Sequence, residues 1–84
     1  MDLKTLLTER LTEALSPTLF NLIDESHLHI GHEGAKNGGK HFAVEIESPA
    51  FKDLSSVGKQ KLIYKAIGDL IPLPLHAIRI IRLS

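Results

Sequence analysis

Leu3, Leu6, Leu7, Leu11, Ala14 and Leu15 recur at intervals of three and four, while Lys4, Thr8, Glu9, Thr12 and Glu13 lie off that stripe. This spacing predicts an amphipathic helix with Asp2 as its N-cap. Ser16-Pro17 ends it, because proline drives the preceding residue out of the helical region. Leu19 to Ile23 is short, apolar and bounded by turn-formers, which suits a strand. Asp24 to Lys40 holds four glycines and three histidines and is expected to be a long, mobile connection. His41 to Ser48 then alternates, with Phe42, Val44 and Ile46 on one face and Ala43, Glu45 and Glu47 on the other. A strand packed on one side only has this pattern. After Pro49, Ser55 or Ser56 can cap a second helix with the stripe Ile63, Ala66, Ile67, Leu70 and Ile71, ended by Pro72 and Pro74. Isoleucine-rich Leu75 to Leu83 reads as a last strand.

The predicted order is α-β-β-α-β, an α+β domain. A hairpin makes the first two strands antiparallel, and the strand–helix–strand crossover should be right-handed and make the last pair parallel. Both helices then cover one face of a three-stranded mixed sheet. With 84 residues the chain is expected to be a single domain, 1–84, below the roughly 100–200 residues usual for one. Hydrophobic residues at 43% and charged residues at 24% exclude a disordered composition. A domain this small buries only about 60% of its unfolded surface, which leaves little room for a deep substrate pocket.

Lys plus Arg and Asp plus Glu both count 10, so long-range attraction to nucleic acid or to an anionic membrane is not implied. Without cysteine there is no disulfide, no thiol nucleophile and no Cys-ligated metal site held by this chain alone. The absence of a long apolar run and of a leader-like N-terminus makes a cytoplasmic protein the expectation, with no membrane partner. No nucleophile–base pair, HExxH motif or paired carboxylate emerges, so neither an enzyme nor a small-molecule substrate is expected.

Histidine is the feature that composition does not explain. His27, His29 and His32 crowd one loop, and His76 follows the prolines at the start of the last strand. Neutral imidazole is the commonest metal ligand, and a loop can aim several. The same tract also reads as a solvated polar loop, and His76 as an edge histidine satisfied by backbone. A second candidate is basic: Lys52, Lys59, Lys61 and Lys65 along the second helix, extended by Arg79 and Arg82, could contact phosphates. The plainer alternative is a solvated helix face. Gly31-His32-Glu33-Gly34 matches the GxxG of nucleotide-clamping KH loops, but it lies between two strands instead of two helices.

Taken in order, Asp24-Glu25-Ser26, His29, Gly31-His32, His41-Phe42-x-Val44-x-Ile46-x-Ser48-x-x-Phe51, Ser55, Tyr64 and His76-Ala77 resemble the BolA family from about Leu15 to Leu83. The resemblance implies a BolA-like fold of KH-like topology. It also implies a heterodimer with a monothiol glutaredoxin, bridged by a two-iron, two-sulfur (2Fe-2S) cluster shared with glutaredoxin cysteine and glutathione. His76 matches the family's ligand at the start of the last strand, His29 best matches the loop ligand, and His32 is its rival. His41 matches a position with a structural role. Many members carry Gly two residues after the match to Phe51, where this chain has Asp53, and Arg-His-Arg where it has Lys59-Gln60-Lys61. The lysine–glutamine version is more similar to the IbaG-type branch. Some bacterial relatives are described as transcriptional regulators of cell shape and stress response, so DNA binding through Lys59, Lys61, Lys65 and Arg79 is the alternative.

Overall fold

The computed structural model describes residues 2–26 and 40–84. Helix α1 spans Leu3–Leu15, strand β1 Leu19–Asp24, strand β2 Lys40–Glu47, helix α2 Ser56–Ile67 and strand β3 Leu75–Leu83. Short 3-10 turns occupy Pro49–Phe51 and Gly68–Leu70. The expected order and both pairings are present: β2 is central, antiparallel to β1 and parallel to β3. The connection expected over Asp24 to Lys40 is shorter at both ends, because Asp24 closes β1 and Lys40 opens β2 through their pairing across the sheet; residues 27–39, with His27, His29 and His32, lie outside the described residues.

Each helix starts where its cap residue predicts. The Asp2 carboxylate accepts from the Thr5 backbone N–H at 2.8 Å, and the Ser55 hydroxyl accepts from that of Gly58 at 3.1 Å. Helix α1 stops at Ser16, which takes a left-handed conformation at φ 44° before Pro17. Leu7, Leu11 and Leu15 of α1 and Ile63 and Ile67 of α2 join Leu22, Phe42, Val44 and Ile46 of the sheet in one buried cluster. The stripe predicted for α2 departs from a continuous helix at its end, where Gly68–Leu70 tightens to 3-10. Ile71, restricted by Pro72, is extended at φ −105°, ψ 136°. Leu70 stays buried through this tighter turn.

Ser48 joins three elements. Its hydroxyl donates to the Leu15 carbonyl at the end of α1 and accepts from the Ala50 N–H at 3.1 Å, capping the 3-10 turn that buries Phe51. After that turn the backbone at Asp53 is left-handed, with φ 64°. Glycine adopts that conformation freely and aspartate tolerates it, which gives a physical reason for the Gly that resembling sequences carry there.

The one-sided packing expected of β2 is corrected at Ala43, which is 0% exposed although it lies on the face away from the helices. Its cross-strand partners are Ile23 on β1 and Arg79 on β3, and a methyl group is small enough to be shielded between two larger neighbours. Glu45 is half-buried on the same face, and its Oε1 accepts from Asn21 Nδ2 at 2.7 Å.

Candidate metal centre

The register between β2 and β3 slips twice. Lys40 pairs with Leu75 but His41 with Ala77, so His76 is the extra residue of a bulge; Val44 pairs with Ile80 but Glu45 with Arg82, so Ile81 is the extra residue of a second. A bulge bends the strand and re-aims the side chain it carries. Leu75 turns into the core, and His76 is exposed at the rim. The structure thus places His76 as expected, at the first turn-out of the last strand. Lys40 N–H donates to the Pro74 carbonyl at 3.0 Å and fixes that end of the sheet.

Beside it stands His41, for which the family resemblance implies a structural role. The rings of His41 and His76 have centroids 5.0 Å apart and planes tilted by 50°. The backbone of His41 is held on both sides: its N–H donates to Ser26 Oγ at 3.2 Å and its carbonyl accepts from the Glu25 N–H at 2.8 Å. A signal for this contact does exist in the sequence, since each histidine opens a strand and parallel strands align their starts.

A shallow cleft of about 170 Å³ adjoins the pair, lined by Glu25, His41, Phe42, Ala77, Ile78 and Arg79. Its charges are joined to each other. Arg79 Nη2 donates to Glu25 Oε2 at 2.7 Å and Nε to Oε1 at 3.2 Å, a two-pronged pair in which the Glu25 side chain is 13% exposed. These hydrogen bonds, with the carboxylate's charge behind them, raise the Arg79 pKa further. Residues Glu25 and Arg79 are 54 positions apart, and sequence reasoning gave no hint of the pair. Asp24 turns the other way, to a cleft beside Leu3 and Lys4 of α1.

The second candidate surface separates on folding. Lys61 and Lys65, four apart, are exposed on the side of α2 opposite Ile63 and Ile67. Lys59, one turn before Ile63, is half-buried on the core-side edge. Arg79 faces away from the helices altogether, beside Ala43 and bound to Glu25. His29 and His32 lie outside the described residues, and among the described residues no group of three or more His, Cys, Asp or Glu could hold a metal ion.

The family model described as BolA-like protein matches residues 11–83. The chain belongs to the BolA family. It is 34% identical over 71 residues to BolA-like protein 1 of Homo sapiens, covering 84% of this chain and 50% of the human protein. It therefore spans half the length of that relative. Among solved structures, BolA1 from Arabidopsis thaliana superposes with a TM-score of 0.81 at 28% identity, covering 98% of this chain and 90% of that one. The BolA domain of SufE1 from Arabidopsis thaliana gives 0.80 at 31% identity, covering 98% and 92%. The BolA-like fold expected from the resemblance is therefore the fold of this chain. No helix among the described residues is long and apolar enough to cross a membrane.

Proposed function

We propose that this BolA-family chain is a non-enzymatic, cytoplasmic adaptor in iron–sulfur cluster trafficking or iron sensing, pairing with a monothiol glutaredoxin through a bridging 2Fe-2S cluster. The observation that carries the reading is His76, an exposed imidazole at the sheet rim on the bulge that opens β3. The donor set suits a shared cluster. A chain without cysteine supplies imidazole nitrogen and leaves the thiolates to the partner and glutathione. The cluster itself would supply redox-active, exchangeable iron held between the two proteins. His76 is the first ligand in this reading and His29 the second, with His32 as its rival. DNA binding draws less support from the geometry, because Lys61 and Lys65, Lys59 and Arg79 point in three directions.

The test is to mix the purified chain with cluster-loaded monothiol glutaredoxin and record visible absorption and circular dichroism. A changed spectrum and co-elution are expected, and His76→Ala should abolish the histidine-ligated spectrum. If His32→Ala removes the signal while His29→Ala keeps it, the loop ligand is His32. An unchanged spectrum with the wild-type chain refutes the reading.

A further inference from the structure

We propose that the outward face of α2 is a docking surface for an acidic amphipathic helix of a partner protein. Val57, Lys61 and Tyr64 recur at intervals of four and three and are all exposed, on the side of the helix turned away from Ile63 and Ile67. Val57 is 61% exposed and Tyr64 40%. Leu54, just before the cap residue Ser55, adds a third apolar side chain. Its Cβ and Cδ2 lie 3.5 and 3.8 Å from where a Cβ would stand on Gly58, so it lies across the first turn of α2 while remaining exposed. Beyond Tyr64, a Cβ on Gly68 would meet nothing within 4 Å outside its own turn of chain, and the stripe runs out onto bare backbone. A surface helix of a small domain ordinarily has one apolar stripe, facing the core. Here α2 buries one and exposes a second, shorter one on the opposite side.

The charges around this stripe are of one sign. From Ser56 to Ile67 the helix holds three lysines and no aspartate or glutamate. Lys61 lies on the stripe and Lys65 beside it, one turn on, and both are exposed. Among the described residues each of Arg10, Arg79 and Arg82 is paired with a carboxylate, whereas no lysine is. Asp53 lies in the turn before the helix, and Asp69, which follows it, gives both oxygens to Arg10. The complement of such a face is an apolar ridge with carboxylates on its flanks. Helical spacing suits it, since Val57 to Tyr64 covers about 10 Å of the axis and repeats as the anchors of a helix laid alongside do. Nucleic acid fits less well. The aliphatic side chains of Leu54 and Val57 offer no ring on which a base stacks, and Arg79 emerges on the far side of the sheet, bound to Glu25. A helix of 12 residues presents little area, so the contact is of the weak, transient class, with charge steering the encounter.

The probe is a labelled synthetic helical peptide with leucine at i, i+4, i+7 and i+11 and glutamate on both flanks, followed by fluorescence anisotropy with the full-length chain. Saturable binding that weakens as salt is raised is expected. An isomer with the same leucines scattered round the helix, and a peptide with lysine in place of glutamate, should not saturate. An exposed ion pair is worth a factor of about 1.4–5 and reversal adds repulsion of similar size, so Lys61→Glu should weaken binding by about 2–30-fold. Val57→Ala, losing one to two buried carbons from the contact, should weaken it by about 4–15-fold. Lys4→Glu, exposed on α1, should bind as the parent does. Amide resonances should shift at Val57, Lys61, Tyr64, Lys65 and Gly68 and stay in place at Ala43 and Arg79. Failure to saturate at millimolar peptide, equal binding of the scattered isomer, or an equal loss in Lys4→Glu would each overturn the surface. So would a single-stranded oligonucleotide that shifts the α2 amides where the acidic peptide does not. None of these measurements involves His76 or an iron–sulfur cluster, so they and the cluster spectrum fail separately.

Discussion

Ile67 and Ile81 are chemically identical and sit in opposite environments, so truncating each to alanine tests the packing directly. Ile67 is 0% exposed at the end of α2, within the buried cluster that also holds Leu7 and Leu11 of α1 and Ile63 of its own helix. Removing three carbons forfeits about 0.8 kcal/mol per methylene in transfer free energy, and the remaining cavity adds to that. The site has little freedom to collapse. Arg10 Nη1 donates to the Ala66 carbonyl at 3.1 Å and, with Nη2, grips both Asp69 oxygens at 2.7 and 3.0 Å, tying this end of α2 to α1. A loss of about 3–4 kcal/mol is expected, within the roughly 2–5 kcal/mol seen for such truncations. At about 0.05–0.15 kcal/mol per residue, a domain this small holds only roughly 4–13 kcal/mol in total. Urea melts followed by far-ultraviolet circular dichroism should show a lower midpoint at unchanged slope, and thermal melts a fall of about 12–32 °C. Ile81, 47% exposed on the second bulge, should cost within about 0.5 kcal/mol. An Ile67→Ala cost below about 1 kcal/mol, or an equal cost at Ile81, would refute the assignment of core and bulge.

Two further outcomes follow from single positions. The left-handed backbone at Asp53 predicts that Asp53→Val loses about 1–2 kcal/mol while Asp53→Gly melts no lower than the parent, and equal melts for the two variants would show that the turn does not demand that conformation. Hydrogen bonds from Arg10, then its charge, hold the Asp69 carboxyl below its ordinary 3.8. A depressed folded-state pKa contributes stability that is fully present above the unfolded value and lost as pH falls through the folded one. Asp69→Asn should therefore lower the melting temperature near neutral pH and leave it little changed near about pH 2, and an equal loss at both would count against the pair.

What the sequence made legible is what local periodicity and caps determine. The core positions of both helices as far as Ile67, the caps at Asp2 and Ser55, and the inward positions Phe42, Val44 and Ile46 of β2 depend on neighbours within a turn or two, and they match the structure, whereas Ala14 is exposed and Ala43 buried against that reading. β3 is different. Leu75, Ile78, Ile80 and Leu83 are the positions it turns inward, spaced three, two and three apart, because each bulge shifts the phase by one residue. No period-two reading finds that pattern, since the bulges arise from pairing with β2 and not from β3 itself. The candidate site divides along the same line. The position of His76 at the start of β3 follows from the prolines before it. Its contact with His41 depends on parallel register, and the Glu25–Arg79 pair depends on the whole sheet.

The second bulge also decides what the open face of the sheet presents. Without it, Arg79 and Arg82, three apart, would fall on opposite faces, and one guanidinium would point into the core. With Ile81 taken up as the extra residue, both arginines emerge on the side away from the helices. Each meets a carboxylate there: Glu25 for Arg79 and, at 3.0 Å, Glu47 for Arg82. The face that a count of arginines would call basic is therefore paired off, in agreement with equal totals of acidic and basic residues. Among the described residues, the two arginines of this face thus present a partner with paired guanidinium groups. Beside these pairs the same end of the sheet carries an exposed imidazole at the rim, His76, with the His41 ring 5.0 Å from it, centroid to centroid.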